Sequence, residues 1–97
     1  MDLWIRSQSK QTLLKVSKIY LDDGIVFAST ESEFDERVGI YSTNKRALEV
    51  LDEIQDRIMT LNMISTANTK DELIDIANAL GVAKIQGALI PYQMPKE

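Results

Sequence analysis

The chain contains no cysteine and no histidine. The first absence excludes disulfide bonds and thiolate metal sites, and the second excludes imidazole ligands and Ser–His relays. Any catalysis would therefore depend on carboxylates, Lys, Tyr or an externally supplied metal ion. The acidic stretches at Asp22-Asp23 and at Glu31 to Glu36 lack the spacing of a calcium-binding loop. We expect no enzyme activity, no cofactor and no bound metal ion.

Proline and glycine are also scarce, with two and four residues among 97. Because 44% of the residues are hydrophobic, this composition favours a folded chain over a disordered one. The length fits a single domain that spans residues 1–97. No run approaches the ~18 apolar residues that a membrane-spanning helix needs, and the start lacks a basic-then-apolar signal pattern. These absences predict a cytoplasmic protein without a membrane segment.

Acidic residues outnumber basic residues by 15 to 11, which gives a formal net charge of −4. A negative chain is not attracted as a whole to phosphate backbones, so we expect no nonspecific binding of nucleic acid. Lys10, Lys15 and Lys18 nevertheless gather near the start. We interpret them as exposed strand and loop positions, and a local basic patch is the alternative.

The stretch from Thr43 to Ile64 has the clearest helical pattern. Apolar residues recur in it at steps of four, three, four and three, which places them along one helix face: Ala47, Leu51, Ile54, Ile58 and Leu61. The Thr43 hydroxyl can accept a hydrogen bond from the first helical turn. The pattern predicts a long helix that packs on a sheet.

Short runs of strand-forming residues precede this helix. Asp23-Gly24 is typical of a tight hairpin turn, because both residues tolerate a positive φ. In the run before it, the apolar parity changes near Ser17-Lys18, which we interpret as a bulge. The four predicted strands, taken as one antiparallel meander, are 3–6, 13–21, 25–30 and 37–41.

The C-terminal third predicts a shorter helix and then extended chain. Thr69 and Glu72 form a capping box, and Gly81 ends the helix after Leu80. An extended piece begins at Ala88 and is limited by two prolines. The predicted fold is α+β, an antiparallel four-stranded meander packed by one long helix, with a second short C-terminal helix and a terminal extended segment.

The stretch from Asp71 to Val82 also resembles the first half of a helix-turn-helix motif. The following residues do not favour a recognition helix, because they contain Gly87 and essentially one basic residue, Lys84. A DNA-binding regulator is therefore the weakest of the functions that we consider.

Three stretches carry a resemblance to a known group of proteins: WIRSQ at 4–8, RALEVLDEIQ at 46–55 and YQMP at 92–95. They are similar to a family of small phage and prophage proteins of Gram-positive bacteria. The resemblance implies a phage origin and a non-enzymatic accessory role in the cytoplasm of the infected host cell. Some small phage proteins of this general build sequester a nucleotide second messenger of bacterial immunity. By that analogy we expect an anti-defence protein that binds a cyclic nucleotide or a cyclic ADP-ribose type signal.

A nucleotide site needs an aromatic face for the base and Arg or backbone donors for the phosphates. Trp4 with Arg6, and Arg37 with Tyr41, supply this combination at alternate positions of two predicted strands. All four residues lie on the parity opposite the most apolar positions, so we predict that they share one sheet face. The alternative is that Trp4 and Tyr41 are core or interface aromatics.

The two helices carry more apolar surface than one sheet face can bury. We therefore predict a homo-oligomer, a dimer or a larger assembly, and we place its interface at the end of the long helix. The residues in this interface are Ile58, Met59, Leu61, Met63 and Ile64. An alternative function is interaction with a host protein through an exposed helix face or through the acidic loop at Glu31 to Glu36.

Overall fold

The computed structural model describes residues 3–32 and 34–97 and has an α+β fold. Glu33 of the acidic loop lies outside the described residues. The helices are α1 (Asn44–Ser65), α2 (Lys70–Leu80) and α3 (Val82–Ala88). The strands are β1 (Trp4–Arg6), β2 (Leu13–Lys15), β3 (Lys18–Asp22), β4 (Ile25–Ser29), β5 (Asp35–Ile40) and β6 (Tyr92–Gln93).

The strands form two three-stranded sheets, so the predicted four-stranded meander packed by one long helix is wrong. The terminal sheet has the order β2-β1-β6, with β2 antiparallel and β6 parallel to β1. The meander sheet has the order β3-β4-β5 and is antiparallel. The predicted second strand is divided between them, because the Val16 N–H donates to the Leu3 carbonyl while the Ser17 N–H donates to the Ser29 carbonyl, both at 2.9 Å. The change of parity near Ser17 marks this change of sheet.

The predicted hairpin at Asp23-Gly24 is confirmed. Asp23 has φ 49° and Gly24 has φ 79°, the two positive values that a primed two-residue turn requires. The turn pairs Asp22 with Ile25 and fixes the register of β3 and β4. Local sequence therefore determines this part of the meander sheet.

A bulge in β5 changes which residues point into the core. Phe27 of β4 pairs with Arg37 and Val26 pairs with Gly39, so Val38 is an extra residue between them. Val38 and Gly39 are both buried, and the parity after them is reversed. The prediction that Arg37 and Tyr41 share a face is therefore wrong. Arg37 is exposed, whereas Tyr41 is 5% exposed.

Helix α1 forms the centre of the hydrophobic core. As predicted, the Thr43 Oγ1 caps it by accepting a hydrogen bond from the Arg46 N–H at 3.1 Å. Its buried apolar side chains are Ala47, Val50, Ile54, Leu61 and Ile64. They form one cluster with inward side chains of both sheets, such as Ile5 of β1 and Val26 of β4. The core therefore lies between α1 and the inner faces of the two sheets.

The C-terminal third contains one helix more than the sequence predicted. The Thr69 cap of α2 is confirmed, since its Oγ1 accepts from the Glu72 N–H at 3.1 Å. Gly81, with φ 92°, ends α2, and α3 begins at the next residue. Helix α2 has no buried residue, whereas α3 buries Ile85 and Ala88. Residues 82–88 thus form a helix that the sequence analysis did not predict. Its last residue, Ala88, is the position at which the extended segment was predicted to begin.

The Gln8 side chain joins the two sheets to the C-terminal segment. Its Oε1 accepts from the Ile40 N–H at 2.9 Å, and its Nε2 lies 3.1 Å from the Ile40 carbonyl oxygen. The same Nε2 lies 3.2 Å from the Pro95 carbonyl and 2.6 Å from the Lys96 carbonyl. Beside it, the Met94 N–H donates to the Arg6 carbonyl at 3.0 Å, and Met94 is 1% exposed. One side-chain amide therefore bonds both to the edge strand of the meander sheet and to the C-terminal segment that follows β6.

Removal of this amide should destabilise the whole fold. We expect Gln8→Ala to lower the free energy of unfolding by about 1–3 kcal/mol, because the amide makes several hydrogen bonds and each contributes about 0.5–1.5 kcal/mol net. Urea unfolding followed by circular dichroism measures the effect. Gln11→Ala is the matched control, because Gln11 is exposed and its side chain makes no described hydrogen bond. Equal stability of the two variants would contradict this role of Gln8.

Candidate functional site

The structure brings together two of the four predicted ligand-binding residues. Trp4 and Arg6 are exposed on the outer face of the terminal sheet, at alternate positions of β1. Arg37 lies on the meander sheet, where it is exposed opposite Phe27. Tyr41 belongs to the hydrophobic core. A single face that contains all four residues is therefore absent from this arrangement.

The outer face of the terminal sheet combines an aromatic ring with positive charge. Trp4 pairs with Lys15 of β2, and Arg6 pairs with Leu13. All four side chains are exposed, because the residues between them, Ile5 and Leu14, point into the core and are buried. Directly opposed residues on neighbouring antiparallel strands have Cβ atoms about 4.5–5.5 Å apart. We call Trp4, Arg6, Leu13 and Lys15 the tryptophan face.

The tryptophan face is locally basic in an acidic chain. Residues 3–21 contain Arg6, Lys10, Lys15 and Lys18 and no Asp or Glu. Strand β6, which pairs with the other edge of β1, contributes no charged residue, and its Gln93 donates to the Ser7 carbonyl at 3.0 Å. The two strands of the tryptophan face, β1 and β2, therefore contain basic residues and no acidic ones.

An apolar groove adjoins the Trp4 ring. It has a volume of about 170 Å³ and is lined by Leu3, Trp4, Leu61, Ala88, Leu89, Ile90 and Pro91. Trp4 is 44% exposed, and Leu89 and Ile90 are more exposed still. Trp4 thus adjoins both an apolar groove and the basic residues of the tryptophan face. This arrangement suits a flat group that carries negative charge at one end.

Tyr41 has a structural role in this conformation. Its Oη donates to the Pro95 carbonyl at 2.9 Å, and burial raises the pKa of Tyr41 to about 12. Gly39 lies directly against the ring, since a Cβ at Gly39 would come within 2.8 Å of the Tyr41 Cε2 and Oη. The β5 bulge therefore turns Tyr41 away from any ligand on the outer faces.

Two aromatic residues that the sequence analysis missed accompany Arg37. Tyr20 and Phe27 stack with ring centroids 5.1 Å apart and an interplanar angle of 12°. The Tyr20 Oη donates to Asp35 at 2.7 Å, and hydrogen bonds from Ser29 and Tyr20 hold the pKa of Asp35 below its usual value. This charged carboxylate disfavours anions at the outer face of the meander sheet. Tyr20 and Phe27 are equally far from the Asp23-Gly24 turn, so the hairpin register could have identified the pair.

A cleft between α1 and α3 has a volume of about 570 Å³. The Arg57 guanidinium lies over the Tyr92 ring at 5.3 Å and donates to the Ile90 carbonyl at 3.0 Å. The acidic side chains Asp52, Glu53 and Asp56 outnumber the basic Arg57 and Lys84 among its lining residues. The cleft is therefore a poor site for phosphate groups.

The predicted oligomer interface is divided between core and surface. Leu61 and Ile64 are buried within the chain, and Ile58 packs partly against the core. Met59 and Met63 are exposed, at 58% and 41%. An interface at this end of α1 stays a prediction, and these two methionines are the members of the set that a partner could contact without rearrangement.

Metal and membrane features were sought in residues 3–32 and 34–97. Within these ranges, no group of three or more Asp or Glu side chains is placed to hold a metal ion. In the same part of the chain, no helix combines the length and the apolarity needed to cross a membrane. The seven-residue helix α3 carries one basic residue, Lys84, whose Nζ lies 3.4 Å from an Asp56 oxygen. This pairing leaves little charge for contacts with DNA phosphates.

Comparisons with protein-family models, with curated proteins and with solved structures find no match for this chain. The assignment of the tryptophan face therefore depends on its own geometry and chemistry.

The buried tyrosines should make the stability of the fold depend on pH under alkaline conditions. The pKa of Tyr41 is about 12 in the folded chain against 10.0 for a free tyrosine, and burial also raises the pKa of Tyr92. The unfolded chain therefore loses these protons first, and the free energy of unfolding should fall as the pH rises from about 10 to 12. Urea unfolding at several pH values measures the slope. We expect Tyr41→Phe to flatten the slope, and an unchanged slope would contradict burial of the Tyr41 hydroxyl.

Proposed function

We propose that the protein is a non-catalytic binding protein that sequesters a small nucleotide signal on the tryptophan face. One observation carries this proposal: an exposed Trp4 lies beside Arg6 on β1 and opposite Lys15 on β2. A tryptophan ring stacks on any nucleobase, and such stacking contributes about 1–3 kcal/mol per base. Arg6 supplies paired N–H donors that match phosphate oxygens.

The same face provides no group for chemistry on the ligand. Its members are an indole, a guanidinium, an aliphatic chain and an ammonium group, none of which is an activated nucleophile or a general base in this setting. A bound nucleotide would therefore be held and later released unchanged. Sequestration of this kind depends on affinity and on the amount of protein, and it needs no cofactor.

The biological setting of the proposal comes from the family resemblance. A phage protein that removes a cyclic nucleotide or a cyclic ADP-ribose type signal from the host cytoplasm would weaken the immune response of the bacterium. The open shape of the tryptophan face also fits an oligomer, in which a second subunit would cover a ligand that one chain leaves exposed. We therefore propose an anti-defence role for the protein as a homo-oligomer.

Fluorescence of the single tryptophan tests the proposal directly, because Trp4 is the only tryptophan in the chain. The purified protein is titrated with isomers of cyclic ADP-ribose and with cyclic di- and trinucleotides. We expect one of them to quench Trp4 emission with a saturable curve and to raise the melting temperature, because it binds only the folded state. Ligand recovered after heating should be chemically unchanged. Failure of the whole panel in both measurements would contradict the proposal.

Variants on the two sheets show which face binds the ligand. We expect Arg6→Gln to weaken binding by about 10-fold or more, because a hydrogen bond to a charged group contributes about 1.5–3 kcal/mol. Arg37→Gln is the matched control, since Arg37 is also exposed but lies on the meander sheet. Loss of binding in Arg37→Gln with normal binding in Arg6→Gln would contradict a site on the tryptophan face and would indicate a site on the meander sheet, beside Tyr20 and Phe27.

Interaction with a host protein is the second candidate, and a different observation favours it. Helix α2 is amphipathic but buries no residue, and its Leu73 and Ile74 are 40% and 45% exposed. Val82 at the start of α3 is 61% exposed. Exposed apolar side chains on adjoining helices are typical of a protein-binding surface.

Substitution on α2 separates the second candidate from the first. If the protein acts through a host partner, Ile74→Asp should abolish co-purification of one defined protein while the tryptophan face is intact. Arg6→Gln is then the control and should retain the partner. Co-purification that survives Ile74→Asp and is lost in Arg6→Gln would contradict a binding surface on α2.

A further inference from the structure

The apolar groove beside Trp4 shares this residue with the tryptophan face. Two of its other members, Leu89 and Ile90, follow α3 and are 56% and 62% exposed. Apolar side chains grouped around an open groove are typical of a ligand-binding site. We propose, as an extension that rests on the proposed function, that the groove holds one nucleobase of the ligand while Arg6 binds a phosphate of it. The site would then take a nucleotide with a single base and would discriminate little between bases.

The strand pairing places the groove near Arg6 as well as beside Trp4. Ile5 pairs with Tyr92 in the parallel register of β1 and β6. Trp4 and Pro91 are the residues directly before this pair, and both line the groove. Arg6 is two positions further along β1 and is exposed on the same face as Trp4, about 6–7 Å away at the usual rise of a strand. Because the ribose of a nucleotide separates its base from its phosphate by a comparable distance, a base in the groove leaves the phosphate within reach of the long Arg6 side chain.

The groove is large enough for one flat ring system and too small for two. Its volume is about 170 Å³, and an apolar cavity of about 150 Å³ holds one benzene molecule. The tryptophan face offers no second aromatic ring, because its other members are Arg6, Leu13 and Lys15. A signal with two or three bases would leave the additional bases without a stacking partner on this face. The site therefore fits a single-base nucleotide, such as a cyclic ADP-ribose type signal, better than a cyclic di- or trinucleotide.

The groove has few groups that could recognise the edge of a base. Every described side chain that lines it is apolar, apart from the indole N–H of Trp4. The Ile90 carbonyl already accepts from Arg57 at 3.0 Å. The Leu89 N–H likewise donates to the Gln86 carbonyl at 3.2 Å. Because adenine and guanine differ in the donors and acceptors at their edges, a groove without polar partners should bind either purine through its flat surface.

Calorimetric titration of the full chain with AMP, GMP and ribose phosphate tests whether a base is bound and whether it is recognised. A hydrophobic pocket rejects an added polar group by only about 10²-fold, whereas a site built to hydrogen-bond a group discriminates by about 10⁴–10⁵-fold. In an open groove the base edge stays in water, so we expect AMP and GMP to bind within about 10-fold of each other. Ribose phosphate lacks the base and should bind at least about 10-fold more weakly than AMP. A larger difference between AMP and GMP, or a smaller loss with ribose phosphate, would overturn the proposal.

A substitution in the groove separates this proposal from the proposed function. Ile90→Ser removes apolar surface from the groove and should weaken AMP binding by about 3–10-fold, while the binding of ribose phosphate stays unchanged. Val82→Ser is the matched control and should bind AMP normally, because Val82 is 61% exposed and lies outside the groove. Normal AMP binding by Ile90→Ser, together with loss of binding in Arg6→Gln, would overturn the groove as the base site and leave the proposed function standing. Absence of binding for every nucleotide, the cyclic signals included, would overturn both.

Discussion

The Gln8 side-chain amide is the contact on which this fold depends. It bonds to both the N–H and the carbonyl of Ile40 at the edge of the meander sheet, and its Nε2 also reaches the carbonyls of Pro95 and Lys96. In effect it substitutes for a backbone peptide group between sheets that share no strand. Because the chain passes directly from one sheet to the other only at residues 16–17 and otherwise returns through the three helices, this link at the end of β5 restrains their relative position.

The stretches WIRSQ at 4–8, RALEVLDEIQ at 46–55 and YQMP at 92–95 contact one another in the fold. WIRSQ supplies Gln8, YQMP supplies the β6 strand that pairs with β1, and the long helix supplies Glu53, whose carboxylate accepts from the Tyr92 hydroxyl at 2.7 Å. Most residues of these stretches therefore have a structural explanation. Trp4 and Arg6 differ from them, because both are exposed and neither side chain makes a described hydrogen bond or ion pair. This contrast is the physical reason for our proposal that a ligand binds to the tryptophan face.

Features determined by neighbouring residues could be predicted from the sequence. The Thr43 and Thr69 caps, the long helix and the Asp23-Gly24 hairpin each depend on residues within four positions of one another, and all were predicted. Within the candidate site, the alternation of residues along a strand predicted that Trp4 and Arg6 lie on the same face of β1. Lys15 was noted as a basic residue, but its position opposite Trp4 depends on strand pairing that the local sequence does not specify.

Features determined by distant contacts were missed. A strand that changes sheet between Val16 and Ser17 reverses the alternation of apolar residues in the same way as a bulge. Only the hydrogen-bond partners, Leu3 for Val16 and Ser29 for Ser17, show that the chain changes sheet here. The bulge at Val38 reversed the face of Tyr41, which a simple alternation places beside Arg37. Helix α3 was missed because Gly87 disfavours a helix, although its burial of Ile85 and Ala88 offsets the cost.

Amide hydrogen exchange tests most directly whether Gln8 and β6 unite the two sheets. The informative amides are those of Ile40, which donates to the Gln8 Oε1, and of Met94, which donates to the Arg6 carbonyl. If the link holds in solution, both should exchange as slowly as the Ile54 amide in the core of α1, because all three open only on global unfolding. Exchange of Ile40 and Met94 that is orders of magnitude faster than that of Ile54 would show that the C-terminal segment detaches on its own, and would contradict this account.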